Sequence, residues 1–216
     1  MKNSKICGRF APTPSGRIHL GNIFCSLLAW LHAKSQGGEI VLRIEDLDKV
    51  RCPRPNADLL AKDLEWLGLT WDKGAYVSED SERYFQSQRF DIYAEHFRKL
   101  EEQGLIYPCF CSRGPLHAAE APHLSDGRIL YAGTCKNLTA SEREERAKSR
   151  QPAYRLAVND EPISFVDGNY GKQSYNLIEE SGDFIVRRSD GVYAYQLAVT
   201  VDDALMNVTH VARGAD

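Results

Sequence analysis

No stretch of the 216 residues stays apolar over the ~20 positions that a membrane-spanning helix needs. The first ten residues, MKNSKICGRF, lack the apolar run of a secretory signal, so a cytoplasmic location is expected. Charge of one sign is not in excess: 27 Lys and Arg face 30 Asp and Glu, a net charge of -3. That balance gives no global attraction to nucleic acid, and any RNA contact needs local basic patches. A disulfide framework is also missing, because six cysteines in such a compartment read as thiols or metal ligands. Two common nucleotide signatures are absent near the N-terminus, the dinucleotide G-x-G-x-x-G and the Walker loop with its Lys-Ser/Thr pair. What remains is an ordinary globular composition, 43% hydrophobic and 26% charged. Its length suffices for one good core plus an insertion or small second domain.

The most informative stretch is Gly8 to Asn22, GRFAPTPSGRIHLGN. A strand is predicted over Lys5 to Ala11, then a tight turn (Pro12, Pro14, Gly16), then a helix opening at His19-Leu20-Gly21-Asn22. Ile23, Leu27, Leu28, Trp30 and Leu31 continue it as an apolar stripe at near-helical spacing. A strand feeding a helix N-terminus builds an anion site from free backbone N–H groups and the helix dipole. His19 and Asn22 can both donate to phosphate there, and Gly21 leaves room for a planar base. The blander reading is that His19 only caps a core helix.

Glu39 to Ile44 reads as the next strand and ends in Glu45-Asp46-Leu47-Asp48. In a doubly wound sheet, ligands lie beyond the carboxyl ends of the strands. Asp46 and Asp48 are read as capping and solvated residues. Asn56 to Gly68 is predicted as an amphipathic helix with Leu59, Leu60, Leu64, Trp66 and Leu67 on its apolar side. Ser81 to Gly104 is read as a second helical region whose Phe85, Phe90, Tyr93, Phe97 and Leu100 serve as core. Ser141 to Arg150 is a solvated helix, with Arg143, Arg146, Lys148 and Arg150 available to an RNA backbone. Tyr154 to Val158 and Ile163 to Val166 read as strands, with a turn at Asp167-Gly168-Asn169. Phe184 to Val186 and Tyr193 to Val201 are predicted as buried strands of a parallel sheet, with Asp202-Asp203 at a carboxyl end.

Cys109 and Cys111, one residue apart, can reach a single tetrahedral zinc, and Cys135 can supply a third ligand. Tyr131, His117 and His123 are candidates for the fourth, and chemistry alone favours histidine over phenol. Cys7, Cys25 and Cys52 read as small apolar residues or inert thiols.

The first stretch resembles the HIGH motif of class I aminoacyl-tRNA synthetases in its glutamyl form, R-F-A-P-[ST]-P-[ST]-G-x-x-H-x-G. LRIEDLD (residues 42–48) is similar to the glutamyl-type LRIEDTD, and Cys109, Cys111, Tyr131 and Cys135 match a C-x-C…Y-x3-C zinc pattern. GDFIVRRSDGVYAYQLAV and the ending R-G-A-D look like the glutamyl-Q tRNA(Asp) branch. Val199 stands where ordinary glutamyl-tRNA synthetases usually have asparagine. The resemblance implies an α/β class: a Rossmann-like (HUP-type) parallel sheet with a zinc-containing α+β insertion. Residues 1–103 would be the first half of the catalytic domain, 104–180 the insertion near the acceptor end of tRNA, and 181–216 the start of the second half.

It also implies residue roles. His19, Gly21 and Asn22, with Thr13, would serve ATP. Arg9, Phe10, Ala11, Pro12, Thr13, Glu45, Tyr195 and Arg213 would frame L-glutamate, with Glu45 on its amino group. Cys109, Cys111, Tyr131 and Cys135 would hold a structural Zn2+, in contrast to the histidine that chemistry alone prefers. Mg2+ would accompany ATP, and the RNA partner would be tRNA(Asp) bearing queuosine. A monomer is expected. The family's K-[ML]-S-K-[SQ] motif follows the R-G-A-D segment and is not in this chain, so a shortened catalytic domain is expected and its own activity is open. Alternatives are an ordinary glutamyl-tRNA synthetase charging the tRNA 3′ end and a non-catalytic paralogue. A zinc hydrolase fits worst, because three thiolates and a phenol leave no open position for water.

Overall fold

The computed structural model describes residues 5–112 and 130–214. The chain divides into two compact units, Met1–Glu95 with Ala198–Asp216, and His96–Leu197. No helix among the described residues is long and apolar enough to cross a membrane.

In the first unit, strand β1 (Cys7–Phe10) leads through the Pro12–Gly16 turn into helix α1 (Leu20–Lys34). The chain returns as β2 (Glu39–Leu42), crosses through α2 (Arg54–Trp66) and reaches the short β3 (Lys73–Gly74). The three strands form a parallel sheet in the order β1-β2-β3, with Cys7 opposite Glu39 and Phe10 opposite Leu42. Parallel strands joined by helical crossovers bury both faces, which explains the unbroken apolar run Ile40-Val41-Leu42. Gly74 adopts φ +112°, and a Cβ there would stand 2.1 Å from the Leu42 carbonyl oxygen, so only glycine fits the strand contact.

Two amphipathic faces differ from expectation. The buried side of α1 is Ser26, Ala29 and Ala33, while Leu27, Leu28 and Leu31 are exposed. Small residues let the helix lie close to the sheet, where a Cβ on Gly8 would already meet the Ala33 methyl at 3.4 Å. On α2 the buried set is Ala57, Leu60, Ala61 and Leu64, at helical spacing. Leu59, Trp66 and Leu67 fall outside that stripe and are exposed. Ser81 to Gly104 is not one helix. It is two 3-10 turns (Ser81–Tyr84 and Gln86–Gln88) followed by α3 (Phe90–Glu102). Phe85, Tyr93 and Phe97 are buried as expected for core.

In the second unit, β4 (Ile106–Cys109) is followed by the exposed helix α4 (Ala140–Ser149), opened by a capping box of Thr139 and Glu142. Next come β5 (Ala153–Leu156) and the hairpin of β6 (Pro162–Asp167) and β7 (Gly171–Asn176). The hairpin turn is held by the Asp167 carboxylate, which accepts from the N–H groups of Asn169 and Tyr170 at 2.8 Å. A single helical turn, α5 (Leu177–Glu180), leads to β8 (Phe184–Arg187), and α6 spans Tyr195–Leu205. The order β4-β5-β8 is antiparallel throughout, so Phe184 to Val186 does not join the parallel sheet.

Tyr193 to Val201 is not a strand either. Its buried residues Leu197, Ala198 and Val201, followed by Asp202, repeat at helical spacing on α6. A short apolar run cannot by itself distinguish the two periods. Asp202 and Asp203 therefore sit late in a helix and not at the carboxyl end of a strand.

Candidate active site

The Pro12–Gly16 turn and the first turn of α1 enclose a pocket of about 280 Å3. Thr13, Gly16, Arg17, His19 and Asn22 line it, with Ala11 and Pro12 at its strand side. His19 occupies the N-cap position in an extended conformation, and its side chain makes no capping bond. The imidazole instead lies over Gly21, where any Cβ would come within 3.3 Å of the ring. The first-turn N–H groups of a helix lack intrahelical acceptors, so this mouth suits an anion. Arg17 also borders the pocket and donates to Asp63 at 3.2 Å.

Beyond Leu42 the chain stays extended. Arg43 N–H donates to the Phe10 carbonyl at 2.9 Å and Glu45 N–H to the Pro12 carbonyl at 3.0 Å. Ile44, between them, bonds to the other side through Tyr84 and Gln86. Alternate residues of an extended chain share a face, so Arg43 and Glu45 lie side by side. Arg43 Nη2 donates to Glu45 Oε1 at 2.9 Å, and its Nη1 to Asp203 Oδ1 at 2.6 Å. Arg9 Nε stands 2.9 Å from the same Asp203 oxygen. Asp202, fully buried, accepts from Arg89 Nε (2.7 Å), Tyr93 Oη (2.8 Å) and Gln86 Nε2 (2.9 Å).

The electrostatics follow from burial. Desolvation pushes the Glu45 carboxyl above the usual carboxylate range, and the Arg43 and Arg9 guanidinium groups pull it back only in part. Burial opposes the charge on Arg43, yet Glu45 and Asp203 outweigh it and hold its proton more tightly than usual.

Several predicted residues occupy this region in other ways. Phe10 is packed in the core, and its carbonyl is committed to Arg43. Thr13 is exposed and Ala11 half-buried. Asp46 is buried, not solvated: it accepts from the backbone N–H (2.9 Å) and hydroxyl (2.7 Å) of Ser87. The 86–88 turn passes beside the strand end and needs an acceptor there. Asp48 does cap a turn, accepting from Arg51 N–H at 3.2 Å. Arg213 is exposed in the first unit, and Tyr195, at the start of α6, belongs to the second.

In the second unit the Sγ atoms of Cys109, Cys111 and Cys135 lie within 4.8 Å of one another. Cys111 Sγ is 3.7 Å from Cys135 Sγ, and the Tyr131 hydroxyl is 3.4 Å from Cys109 Sγ and 3.8 Å from Cys111 Sγ. Ligands about 2.3 Å from a tetrahedral zinc stand roughly 3.8 Å apart, which the Cys111–Cys135 distance matches, so the three thiols could hold such an ion. Burial opposes ionisation of Cys109, but its hydrogen bond with Tyr131 and the one donated by Arg155 bring its thiol below the ordinary value. Burial and the neighbouring Cys109 push Cys111 up to about 11. Arg155 Nε donates to Cys109 Sγ at 3.3 Å, and its guanidinium covers the Tyr131 ring at 3.7 Å. His117 and His123 lie outside the described residues.

Residues 5–216 match the family model described as tRNA synthetases class I (E and Q), catalytic domain. The chain belongs to that family. The glutamyl-Q tRNA(Asp) synthetase of Symbiobacterium thermophilum is 50% identical over 98% of the chain, and that of Nitratidesulfovibrio vulgaris is 47% identical over 98%. In each case the chain spans 66% of the relative's length. Among solved structures, the glutamate tRNA ligase of Elizabethkingia meningosepticum, crystallised with its amino acid, superposes with a TM-score of 0.77 at 28% identity. That match covers 96% of this chain and 43% of the ligase.

Within this synthetase fold, Arg43 is the residue that the motifs gave no role, and it is the partner of the Asp202–Asp203 pair expected at a strand end. A signal was present. Arg43 is a charged residue inside the otherwise apolar run IVLRI, and such a residue on a buried strand needs a partner. Arg17 was equally visible inside the SGRIH segment.

Proposed function

We propose that the protein activates glutamate with ATP, without needing tRNA, and transfers it to the queuosine base of tRNA(Asp). The observation that carries the reading is a shared segment. Residues Ala11 to Thr13 line the pocket at the mouth of α1, and the Pro12 carbonyl within them is bonded to Glu45. In this reading the three residues join a phosphate site to Glu45, whose backbone N–H bonds the Pro12 carbonyl and whose buried carboxylate would take an ammonium group.

The reaction needs no protein nucleophile. An oxygen of the glutamate α-carboxylate bonds to the α-phosphorus of ATP as the bond to the β-phosphate oxygen breaks, and pyrophosphate leaves. Catalysis of that kind is positioning and charge stabilisation. His19 and Asn22, with the α1 N-terminus and Thr13, hold the phosphates, and Gly21 gives the base access to the backbone. Mg2+ would accompany ATP and offset phosphate charge. Glu45 takes the amino group, and Arg9 and Arg213 serve the side-chain carboxylate, which a guanidinium can grip with two parallel bonds. Ala11 supplies the small wall between the two subsites. A hydroxyl oxygen of the modified base then bonds to the glutamyl carbonyl carbon as that carbon's bond to the AMP phosphate oxygen breaks, so that an ester forms and AMP and the hydroxyl proton leave.

In the same reading, Cys109, Cys111, Tyr131 and Cys135 hold a structural zinc in the insertion. Four protein donors leave no open position, so these residues would hold the ion in a structural role with no chemical step. Val199, in place of the usual asparagine, supports the glutamyl-Q reading over the ordinary synthetase.

The test is transfer of radiolabelled glutamate by the intact protein to tRNA(Asp) with and without queuosine, followed by nuclease mapping of the label. Label in the anticodon of the queuosine-containing tRNA alone is expected. Label at the 3′ end would establish the ordinary glutamyl-tRNA synthetase instead.

A further inference from the structure

Arg43 has no solvent exposure, yet every nitrogen of its guanidinium faces a carboxylate. Nη2 holds Glu45 at 2.9 Å, Nη1 holds Asp203 at 2.6 Å, and Nε stands 3.7 Å from Asp202 Oδ2 without a hydrogen bond. Arg9, on the neighbouring strand, reaches the same Asp203. Buried ion clusters of this kind are often no more stable than apolar packing of equal volume, so stability alone does not account for one. What the cluster does supply is fixed geometry. Its two outer members are Glu45 and Arg9, the residues read above as the amino-group and carboxylate contacts of glutamate.

We propose that Arg43 is a positioning residue of the amino-acid pocket, fixing Glu45 directly and Arg9 through Asp203, and never touching substrate itself. The inference rests on the glutamate-activating reading. A planar fork is needed for the task, because the guanidinium bonds two carboxylates in different directions at once. Lysine, with one ammonium centre, can keep the charge and still lose one of the two anchors. Loosening Glu45 and Arg9 weakens the grip on glutamate and leaves the phosphate pocket of His19 and Asn22 as it was.

The experiment is steady-state ATP–pyrophosphate exchange by the intact protein, wild type against Arg43→Lys. The expected result is a glutamate KM raised about tenfold or more, with the ATP KM and kcat changed less than about threefold. A purely structural role would lower kcat through a smaller active fraction and leave both KM values alone, and that outcome overturns the proposal. Should Arg43→Lys fail to fold, Asp203→Asn, at a partly exposed position, breaks only the link from Arg43 to Arg9 and should give the same split.

If the wild type shows no glutamate-dependent exchange, the functional reading falls, and a substrate-free measurement decides on Arg43. The charged groups facing Glu45 are Arg43, Arg9 and Asp203. The Glu45 carboxyl, followed by carbon NMR, should titrate at higher pH in Arg43→Gln, which offers it no charge, than in wild type. An unchanged midpoint overturns the proposal on its own.

Discussion

The phenolic oxygen of Tyr131 accepts the backbone N–H of Cys135 at 2.9 Å. Two consecutive parts of the thiol cluster are thereby locked: the ring is aimed at Cys109 and Cys111, and the loop bearing Cys135 is tied to it. A hydrogen bond that orients a ligand matters for metal affinity as much as the ligand count does.

Zinc binding is the direct test of that arrangement. One zinc per chain is expected, lost in Cys135→Ser. Tyr131→Phe should weaken binding about 10- to 100-fold in competition with a chromophoric chelator, in line with the loss of an oriented donor. Equal affinity in Tyr131→Phe would remove the phenol from the site.

Asp202 is expected to be the most costly carboxylate to alter in the first unit. Asp202→Asn leaves Arg89 buried beside a neutral group, which costs about 3–5 kcal/mol in comparable buried pairs. Urea unfolding should show a lower midpoint with an unchanged slope. A loss below about 1 kcal/mol would mean that water reaches Arg89.

Glu39 bridges Lys5 and Lys73, and hydrogen bonds from the two ammonium groups hold its carboxyl down at about 2, against an ordinary 4.5. A depressed folded-state value contributes stability above about pH 4.5 that disappears as pH falls toward 2. The pairs are largely solvated, so the contribution is small, about 0.5–1 kcal/mol. The stability gap between wild type and Glu39→Gln should be full at pH 6 and closed near pH 2. A gap independent of pH would contradict the assignment.

His19→Ala should lower the rate of adenylate formation about 100-fold, the scale of losing one preorganised donor to developing charge. Glutamate binding, measured by calorimetry, should be nearly unchanged. Equal losses in both would place the imidazole in the amino-acid pocket instead.

Much of this site is legible in sequence because its parts are local. The strand-turn-helix from Cys7 to Lys34 needs only prolines, a glycine turn and an apolar run, all contiguous. The thiol pair Cys109 and Cys111 is visible for the same reason. What was not legible depends on distant partners. Asp202 and Asp203 gain their role from arginines more than a hundred residues away, on β1, after β2 and before α3. The α6 segment misleads because Tyr193 to Val201 is short and β-rich in composition, and tertiary packing decides for a helix. The exposed leucines of α1 mislead for the opposite reason, since small residues and not large ones make its contact with the sheet.

Glutamate-dependent exchange of pyrophosphate into ATP, by the intact protein and with no tRNA present, tests the central claim most directly. Exchange that requires glutamate, proceeds without tRNA and falls with His19→Ala is the expected result. No exchange under any condition, with glutamate still bound, would contradict activation at this site and leave a binding protein built on a synthetase fold.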